Sequence, residues 1–435
     1  MATPAKIVSR SLISEKYNAQ NHVRFITAAS LFDGHDAAIN IMRRILQSTG
    51  VEVIHLGHNR SVGEIINAAI QEDVQGIAIS SYQGGHVEYF KYMVDLLKER
   101  GASHIKVFGG GGGVIVPEEI AELEKYGVTR IYSPEDGQRM QLQGIINEMV
   151  ERADVDLSEK DIPENNNNLS HNGYGQLARL ITAIDEGVIA ESRLSTLTEE
   201  AKKYSRTPVL GITGTGGSGK SSLTDELIRR FNLDLDELKI AIIAIDPTKR
   251  KTGGALLGDR IRMNALDVPN IYFRSIATRG TTGEVPTSLT HIIDLCKVSE
   301  FDLIIVETPG IGQGDAAIVP YVNTSMYVMT PEFGAASQLE KIDMLDFADV
   351  VVINKFDRKG GEDALRDVRK QYQRNNELFS TAVEELPIYG TIASKFNDDG
   401  VTSLYHGVLN LFKEKKIEQL AWKVFCAVSN KIFYQ

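Results

Sequence analysis

The sequence contains only two cysteines, Cys296 and Cys426, among its 435 residues. Two thiols are too few for a disulfide framework or a cysteine-based metal cluster, so we expect a reducing compartment, the cytoplasm. No apolar run approaches the ~20 residues that span a bilayer. The first residues, Met1–Gln20, also lack the apolar core of a secretory signal. We therefore expect neither a membrane anchor nor secretion.

Positive charge is scarce as well: 47 Lys and Arg stand against 58 Asp and Glu, giving a formal net charge of -11. Nucleic acids are bound through clustered Lys and Arg, so this balance argues against a nucleic-acid partner. Any anionic ligand must then be held by a local site. The chain is long, and 42% of its residues are hydrophobic, which predicts two or three domains with their own cores.

Short apolar runs alternate with helical segments from His22 to about Val150. The first helical segment, HDAAINIMRRILQSTG, repeats apolar residues at helical spacing and ends at Gly50. Strands that alternate with helices predict a parallel, doubly wound sheet, and residues 1–150 are interpreted as a flavodoxin-like (Rossmann-type) α/β domain. The five predicted strands are HVRFITAASL, VEVIHLG, GIAISSY, IKVFGGGG and RIYS.

The periodicity stops in ERADVDLSEKDIPENNNNLSH, whose Asn run is typical of a linker. We interpret residues 151–205 as a linker and helical arm and residues 206–415 as a second α/β domain. Its runs, such as VLGITGT and DVVVINK, are uniformly apolar, as in parallel strands buried on both faces. Residues 416–435 form a tail with the only tryptophan, Trp422. The tail is either a docked terminal helix or the edge of a longer protein.

The stretch GTGGSGKS fits the pattern GxxxxGK[ST] and lies between an apolar strand and a helical segment. Its glycines let backbone N–H groups surround phosphates, Lys220 neutralises the β and γ oxygens, and the Ser221 hydroxyl binds Mg²⁺. This context favours a P-loop over a glycine-rich turn without a nucleotide. The predicted phosphate-binding residues are Gly214, Gly216, Gly217, Ser218, Gly219, Lys220, Ser221 and Ser222.

A second motif, NKFD, follows the strand DVVVI and predicts the base. The carboxylate of Asp357 can accept both N–H donors of the guanine edge, which adenine does not supply. Asn354 and Lys355 belong to the same motif, and Ser394 and Lys395 of IASK are expected to cover the base from another loop. The two motifs together predict GTP as the nucleotide.

Two acidic strand ends, Asp246 and Glu307, lie between these motifs. GTP hydrolysis needs Mg²⁺ and a loop that senses the γ phosphate, and Gly310 is placed to donate its backbone N–H to that phosphate. Gln313 is a candidate for orienting the attacking water, with a purely structural role in the loop as the alternative. Lys220, Gly310 and Gln313 form the predicted catalytic set.

The run DPTKRKTGGALLGDRIRM, followed by ETPGIGQGD, resembles the metallochaperone GTPases that serve adenosylcobalamin-dependent acyl-CoA mutases. The resemblance covers essentially the whole second domain. It implies that Asp246, Asp259 and Glu307 contribute to the magnesium site. Pro309 stands where that family more usually has valine.

Polar and small residues follow three strands of the first domain: Asp33 and His35, then Ser80 and Ser81, then the glycine run from Gly109. A doubly wound sheet binds ligands beyond the carboxyl ends of its strands, and consecutive glycines leave room for a bulky, elongated ligand. A histidine at such a position is commonly a polar cap. The alternative is that His35 offers a neutral imidazole nitrogen to a metal while Asp33 holds its other N–H.

Two other functions of such a sheet are disfavoured. A phosphoacceptor receiver domain requires an aspartate at the end of the third strand, where this chain has Ser80. A flavodoxin-like FMN site is expected to have a loop rich in Ser and Thr around the phosphate, which the first loop lacks.

The segments DGHDAA, SSY and GGGGG resemble the cobalamin-binding domain of the mutases, whose pattern is DxHxxG, then SxL, then GG. Ala38 and Tyr82 depart from this pattern. The resemblance implies that His35 is the lower ligand of cobalt and that Asp33 is its hydrogen-bond partner. The implied cofactor-binding residues are Asp33, His35, Ser80, Ser81, Gly109, Gly110 and Gly111.

The order of the two domains resembles the amino-terminal portion of the fused isobutyryl-CoA mutases. The resemblance implies adenosylcobalamin and Mg²⁺ as cofactors, GTP as a substrate, a homodimer, and a GTPase that gates cobalamin loading or repair. It also implies an acyl-CoA-binding barrel, which needs ~250 residues and would act in trans or in a longer native chain. A cobalamin carrier with a vestigial GTPase and a corrinoid methyltransfer protein remain as alternatives.

Overall fold

The computed structural model describes residues 15–158, 162–164, 174–235, 237–279, 285–310, 316–334 and 336–417. In these ranges no helix is long and apolar enough to cross a membrane. The predicted tail beyond Ile417, including Trp422 and Cys426, lies outside the described residues. Cys296 is buried as a free thiol.

The first domain forms all five predicted strands. They are β1 (Arg24–Ser30), β2 (Glu52–Arg60), β3 (Gly76–Ser80), β4 (Lys106–Gly110) and β5 (Arg130–Tyr132). Their helices are α1 (Asp36–Ser48), α2 (Val62–Gln71), α3 (His86–Glu99), α4 (Pro117–Tyr126) and α5 (Pro134–Ala153). The parallel order β5-β4-β3-β1-β2 is that of flavodoxin-like sheets, so the predicted fold of this domain is confirmed.

Local sequence explains where these helices begin and end. Helix α1 starts directly after His35, and Gly50 follows its end with a φ of +100°, a conformation that side chains disfavour. Helix α2 begins with a capping box between Ser61 and Glu64. Asp33 follows β1 and Ser80 ends β3, and these two strands are parallel neighbours. Both residues lie at the carboxyl edge of the sheet, on either side of the point where the strand order reverses.

The predicted helical arm consists of α6 (Gly175–Asp185) and α7 (Glu191–Ala201). Its apolar face, including Leu177, Leu180 and Ile181, is buried against the second domain, where it joins a core cluster that contains residues from the second sheet. The arm is therefore part of the second domain's packing.

The second domain has eight strands in the described part of the chain. They are β6 (Val209–Gly214), β7 (Ile240–Asp246), β8 (Ala255–Leu257), β9 (Ile271–Ala277), β10 (Leu303–Glu307), β11 (Thr324–Met329), β12 (Val350–Asn354) and β13 (Ile388–Thr391). The helices are α8 (Lys220–Asp234), α9 (Leu289–Val298), α10 (Ala336–Leu339), α11 (Gly361–Asn375) and α12 (Asp399–Glu414). Seven strands form one parallel sheet, β13-β12-β11-β6-β10-β7-β9, which confirms the predicted P-loop α/β fold.

The remaining strand of the second domain, β8, belongs to the sheet of the first domain. It pairs in parallel with β2, with Ala255 opposite Glu52 and Leu257 opposite Ile54. The sheet of the first domain consequently has six strands, and the sixth comes from the second domain. The sequence patterns did not predict that a strand of the second domain joins the sheet of the first domain.

A network of buried charges joins the two domains beside β8. The Glu52 carboxylate accepts hydrogen bonds from Arg24 Nε at 2.7 Å and from Arg279 Nε at 2.6 Å. Arg24 also donates to the carbonyl of Ser275 at 2.6 Å, and Glu72 accepts from the backbone N–H and hydroxyl of Ser275, each at 2.9 Å. These contacts connect β1 and β2 with β9 of the second domain.

Burial by itself raises the pKa of Glu52, but the guanidinium groups of Arg279 and Arg24 outweigh burial and hold that pKa far below its ordinary value. Glu52 is therefore ionised in the folded chain. A second buried ion pair, between Arg179 of α6 and Asp73 at 2.9 Å, adds to the same interface. The two domains are thus held in one relative position.

We predict that Glu52→Gln lowers the free energy of unfolding by about 3 kcal/mol at pH 7, because it removes one partner from a buried ion pair. Urea denaturation measures this change. The folded pKa of Glu52 lies below the ordinary value of about 4.3, so its contribution is present above that value and is lost as the pH falls below it. The difference between the variant and the wild type should therefore shrink at pH 3.

Glu199→Gln is the matched control, since Glu199 is 69% exposed and pairs with Lys202 on the surface of α7. It should leave the urea midpoint unchanged. Equal losses of stability in the two variants would contradict a special role for Glu52.

Candidate nucleotide and cofactor sites at the strand ends

The predicted P-loop connects β6 with α8 and requires its glycines. A side chain at Gly214 would place its Cβ 1.9 Å from the carbonyl oxygen of Val328, and φ there is +145°. Gly217 and Gly219 also have positive φ values, +74° and +89°, and a Cβ at Gly219 would lie 2.5 Å from Asn354 Nδ2. The loop can therefore turn its backbone N–H groups towards the phosphates of a nucleotide at the start of α8.

The structure brings Lys220 and Gly310 together. The buried Lys220 ammonium donates to the carbonyl of Gly214 at 3.1 Å. A Cβ at Gly310 would lie 2.6 Å from Lys220 Nζ and 2.8 Å from the Gly216 backbone. The loop after β10 therefore contacts the P-loop, as expected of a segment that senses the γ phosphate.

Two of the predicted magnesium ligands, Ser221 and Glu307, lie next to each other at the start of α8. Ser221 Oγ donates to Glu307 Oε1 at 2.8 Å, and Thr224 Oγ1 donates to Glu307 Oε2 at 3.1 Å. Asp246 ends β7, the neighbour of β10. Thr224 was missed by the sequence interpretation, although it follows Ser221 by three residues and so shares its helix face.

No group of three His, Cys, Asp or Glu side chains that could hold a metal occurs among the described residues. The donors that are present fit Mg²⁺, which binds one or two carboxylates and completes its shell with water and nucleotide phosphates. Asp259 begins a short helical turn, Asp259–Arg262, but its side chain lies outside the described residues. Gln313 lies outside them entirely.

The guanine motif is attached to the P-loop. Asn354 Nδ2 donates to the carbonyl of Ser218 at 2.8 Å, and Asn354 Oδ1 accepts from Thr391 Oγ1 and from the Ala393 backbone N–H, both at 3.1 Å. Lys355 Nζ donates to the carbonyl of Gly217 at 2.7 Å. Asn354 thus ties together the P-loop and the two loops expected to hold the base.

The remaining predicted nucleotide residues lie around this point. Asp357 is exposed after β12, and Ser394 and Lys395 are exposed in the loop after β13. Ser222 is partly buried in the first turn of α8. The carboxylate of Asp357 is therefore accessible to a ligand at the carboxyl edge of the sheet.

The first domain has a cavity of about 320 Å³ at the carboxyl ends of β3 and β4. Its lining includes Ser80, Gly109, Gly110, Gly111 and Tyr132. The hydroxyl groups of Ser80 and Tyr132 are buried without a hydrogen-bond partner among the described residues. Buried hydroxyls of this kind are suited to a ligand that brings its own polar atoms into a largely apolar cavity.

Two of the glycines are required by close packing. A Cβ at Gly109 would lie 2.5 Å from the ring of Phe90, and a Cβ at Gly111 would lie 1.9 Å from the carbonyl oxygen of Ser81. Gly110 has more space, since its nearest contact would be 3.5 Å. Gly109 therefore allows α3 to pack against β4, and Gly111 allows the loop after β4 to approach the end of β3.

The Asp33 and His35 side chains form the predicted pair. Asp33 Oδ1 accepts from the His35 backbone N–H at 2.8 Å and lies 2.9 Å from His35 Nδ1, and Asp33 Oδ2 accepts from the Tyr82 backbone N–H at 2.6 Å. Burial raises the pKa of Asp33, but these hydrogen bonds outweigh burial and lower it. The carboxylate can only accept, so Nδ1 donates to it, and in the neutral imidazole the lone pair is then on Nε2.

The two residues of this pair differ in solvent exposure, and the histidine is accessible to a ligand. The His35 side chain is 75% exposed, whereas the Asp33 side chain is fully buried. The Ser81 hydroxyl accepts from Ser30 at 2.9 Å and does not line the cavity. Ser81 thus joins two strands through its side chain, and Ser80 presents its hydroxyl to the cavity.

Comparison with known proteins identifies the families of both domains. The family described as methylmalonyl-CoA mutase-associated GTPase MeaB matches residues 177–419, and the B12-binding domain family matches residues 23–138. The fused isobutyryl-CoA mutase of Cupriavidus metallidurans is 67% identical over 390 residues, which are 89% of this chain and 36% of that protein. The fused isobutyryl-CoA mutase of Geobacillus kaustophilus is 58% identical over 405 residues, covering 92% of this chain and 37% of that protein.

This chain spans little more than a third of the length of these two mutases. A putative GTPase of Pyrococcus horikoshii is 32% identical over 234 residues, which cover 53% of this chain and 72% of the relative. The resemblance to metallochaperone GTPases and to the cobalamin-binding domain is confirmed by these matches. The chain carries a B12-binding domain ahead of its GTPase domain, and it belongs to the family of methylmalonyl-CoA mutase-associated GTPases.

Proposed function

We propose that this chain is the adenosylcobalamin-binding and GTP-hydrolysing portion of an acyl-CoA mutase, in which the GTPase gates the loading or repair of cobalamin. The observation that carries the proposal is the Asp33 and His35 pair at the same strand edge as the glycine-lined cavity, in a chain that also has a complete P-loop. The curated relatives, which are fused isobutyryl-CoA mutases, support isobutyryl-CoA as the acyl substrate.

In the GTPase, each group has a defined task. Lys220 and the Gly310 backbone N–H stabilise the charge that develops on the γ phosphate, with Gln313 proposed to orient water. Asp357 selects guanine. Mg²⁺ would be held by Ser221, Asp246, Asp259 and Glu307, and its chemistry is to neutralise the β and γ oxygens.

In the B12-binding domain, adenosylcobalamin supplies the cobalt–carbon bond whose homolysis starts a radical rearrangement. His35 Nε2 would bind the cobalt, and the Asp33 carboxylate would fix the ring and its tautomer. Ser80 would offer its buried hydroxyl to the cofactor's tail, and Gly109, Gly110 and Gly111 line the cavity proposed for that tail.

The proposed partners follow from the relatives. The rearrangement needs an enclosed acyl-CoA pocket, which we propose is a (β/α)₈ barrel acting in trans or within a longer native chain. We also propose a homodimer, and a cytoplasmic location in keeping with the buried free thiol of Cys296.

The first prediction for this function concerns the cobalt ligand. An absorbance titration of adenosylcobalamin into the wild-type chain should give the spectrum of cobalamin with imidazole in place of its own base. His35→Ala should lose that spectrum, and Asp33→Asn should weaken binding by about tenfold, because it removes the carboxylate that orients the ring. A spectrum of the free cofactor with the wild-type chain would contradict the proposed ligand.

A second prediction tests the cavity. Gly111→Ala should weaken adenosylcobalamin binding by at least about tenfold, since its methyl group would collide with the Ser81 carbonyl and displace the neighbouring residues Ser80 and Tyr82, which line the cavity. Gly113→Ala is the matched control, because a Cβ at Gly113 has nothing within 4 Å. GTP turnover should stay unchanged in both variants. Equal cobalamin affinity in the two variants would place the cofactor elsewhere.

A third prediction tests the GTPase. Lys220→Ala should lower GTP turnover with Mg²⁺ by about 100-fold or more, because the charge on the γ phosphate loses a preorganised partner. Asp357→Asn should reduce the preference for GTP over ATP, measured as the ratio of kcat/KM values. Asp363→Asn, an exposed change on the neighbouring helix α11, serves as the control. Wild-type turnover in Lys220→Ala would show that this P-loop is not the hydrolytic site.

A further inference from the structure

Residues 247–265, called the strap below, connect β7 with β9 and carry β8. The strap leaves the nucleotide site directly after Asp246, pairs with the edge strand of the B12-binding domain, and returns through the turn that begins at Asp259. Two proposed metal ligands of the GTPase therefore flank a strand that lies in the sheet of the other domain.

At its closest point, the backbone of the strap directly contacts the backbone of the B12-binding domain. The Ala255 backbone N–H donates to the carbonyl of Val51 at 3.2 Å. A Cβ at Gly254 would lie 2.1 Å from the carbonyl oxygen of Gln47 and 2.9 Å from that of Val51. Gln47 is in the last turn of α1, the helix that begins directly after His35. The strap thus reaches the far end of the helix that positions the cobalt ligand.

At its other end the strap is attached to the nucleotide site. Asp225 of α8, the helix that follows the P-loop, accepts hydrogen bonds from the backbone N–H groups of Asn264 and Ala265, each at 2.8 Å. Thr248 accepts from the Arg279 backbone N–H at 2.9 Å, and Arg279 binds Glu52. One end of the strap is therefore fixed to the helix that follows the P-loop, and the other end is fixed to the segment that follows β9.

We propose that the B12-binding domain has a second function: by strand addition to β2 it holds the nucleotide-responsive loop of its GTPase, and this pairing couples the nucleotide to the cobalamin site. The inference rests on the proposed binding of GTP and cobalamin. Switch loops of GTPases become ordered or released with the γ phosphate and Mg²⁺, and β8 of the strap lies between two proposed Mg²⁺ ligands. A strap held at Asp246 and at Asp225 cannot move without changing the β8 pairing and the contact with Gln47.

Such a coupling is reciprocal. If the nucleotide changes the affinity for cobalamin by some factor, cobalamin changes the affinity for that nucleotide by the same factor, and typical factors are about 5 to 150. Helix α1 is a rigid connection of 13 residues between the strap and His35. Ala38, Ile39 and Met42 of α1 also line the cavity, so the expected effect is on the affinity for cobalamin, through the position of the imidazole and of this cavity wall.

The test uses the full chain and two glycine variants of the strap. Gly254→Ala inserts a methyl group between the strap and α1, whereas Gly258→Ala is the matched control, because its Cβ would meet only Leu256 at 3.7 Å and its φ is -103°. Adenosylcobalamin affinity is measured by absorbance titration with GDP and with a non-hydrolysable GTP analogue. We expect the two affinities to differ by at least about fivefold in the wild type and in Gly258→Ala, and by less than about twofold in Gly254→Ala.

Retention of the wild-type ratio by Gly254→Ala overturns the inference. The inference is also overturned if the wild-type chain binds nucleotide and cobalamin but has the same cobalamin affinity with GDP and with the GTP analogue. In that case the binding part of the proposed function stands. A wild-type chain that binds neither ligand overturns both.

Hydrogen exchange of the wild-type chain gives a second measurement that does not depend on a variant. Exchange of the backbone amides of β8 and of the last turn of α1 is compared between the GDP and GTP-analogue states. Changes in both segments support the coupling. Changes confined to residues at the nucleotide overturn it.

Discussion

The carboxylate of Glu52 is the contact on which the arrangement of the two domains depends. It binds Arg24 of the B12-binding domain and Arg279 of the GTPase domain, and it stands opposite Ala255 in the β2–β8 pairing. Since one residue takes part in both the charge network and the shared sheet, the two cannot be separated. The distance between the nucleotide site and the cobalamin site is therefore set by backbone pairing and by buried ions.

Buried ion pairs of this kind add little net stability, because desolvation offsets most of their attraction. Their contribution here is to orientation. Arg179 and Arg279 each satisfy a buried carboxylate of the first domain only when the domains meet in one way, whereas an apolar interface tolerates small shifts. Interfaces between domains of one chain are commonly polar and allow relative motion. In this chain such motion would leave guanidinium and carboxylate groups buried and unpaired.

The features that could be predicted from the sequence are those specified by short motifs of neighbouring residues. The P-loop, the Asn354 motif and the pair of Asp33 and His35 depend on neighbours in the chain, so their spacing alone indicated their geometry. The position of β8 was not predictable, because three residues become a strand only where β2 offers an open edge. Ser80 and Ser81 look equivalent in sequence, and the pleat of the strand decides which hydroxyl enters the cavity.

The shared sheet also has a consequence for protection against aggregation. An uncovered edge strand presents unpaired N–H and C=O groups that can pair with another chain, and natural proteins cover such edges. Here β8 covers part of the edge at β2, a nine-residue strand with a largely buried, apolar start. Cutting the chain between α7 and β6 would expose that edge. The B12-binding domain thus depends on the GTPase domain to cover this edge of its sheet.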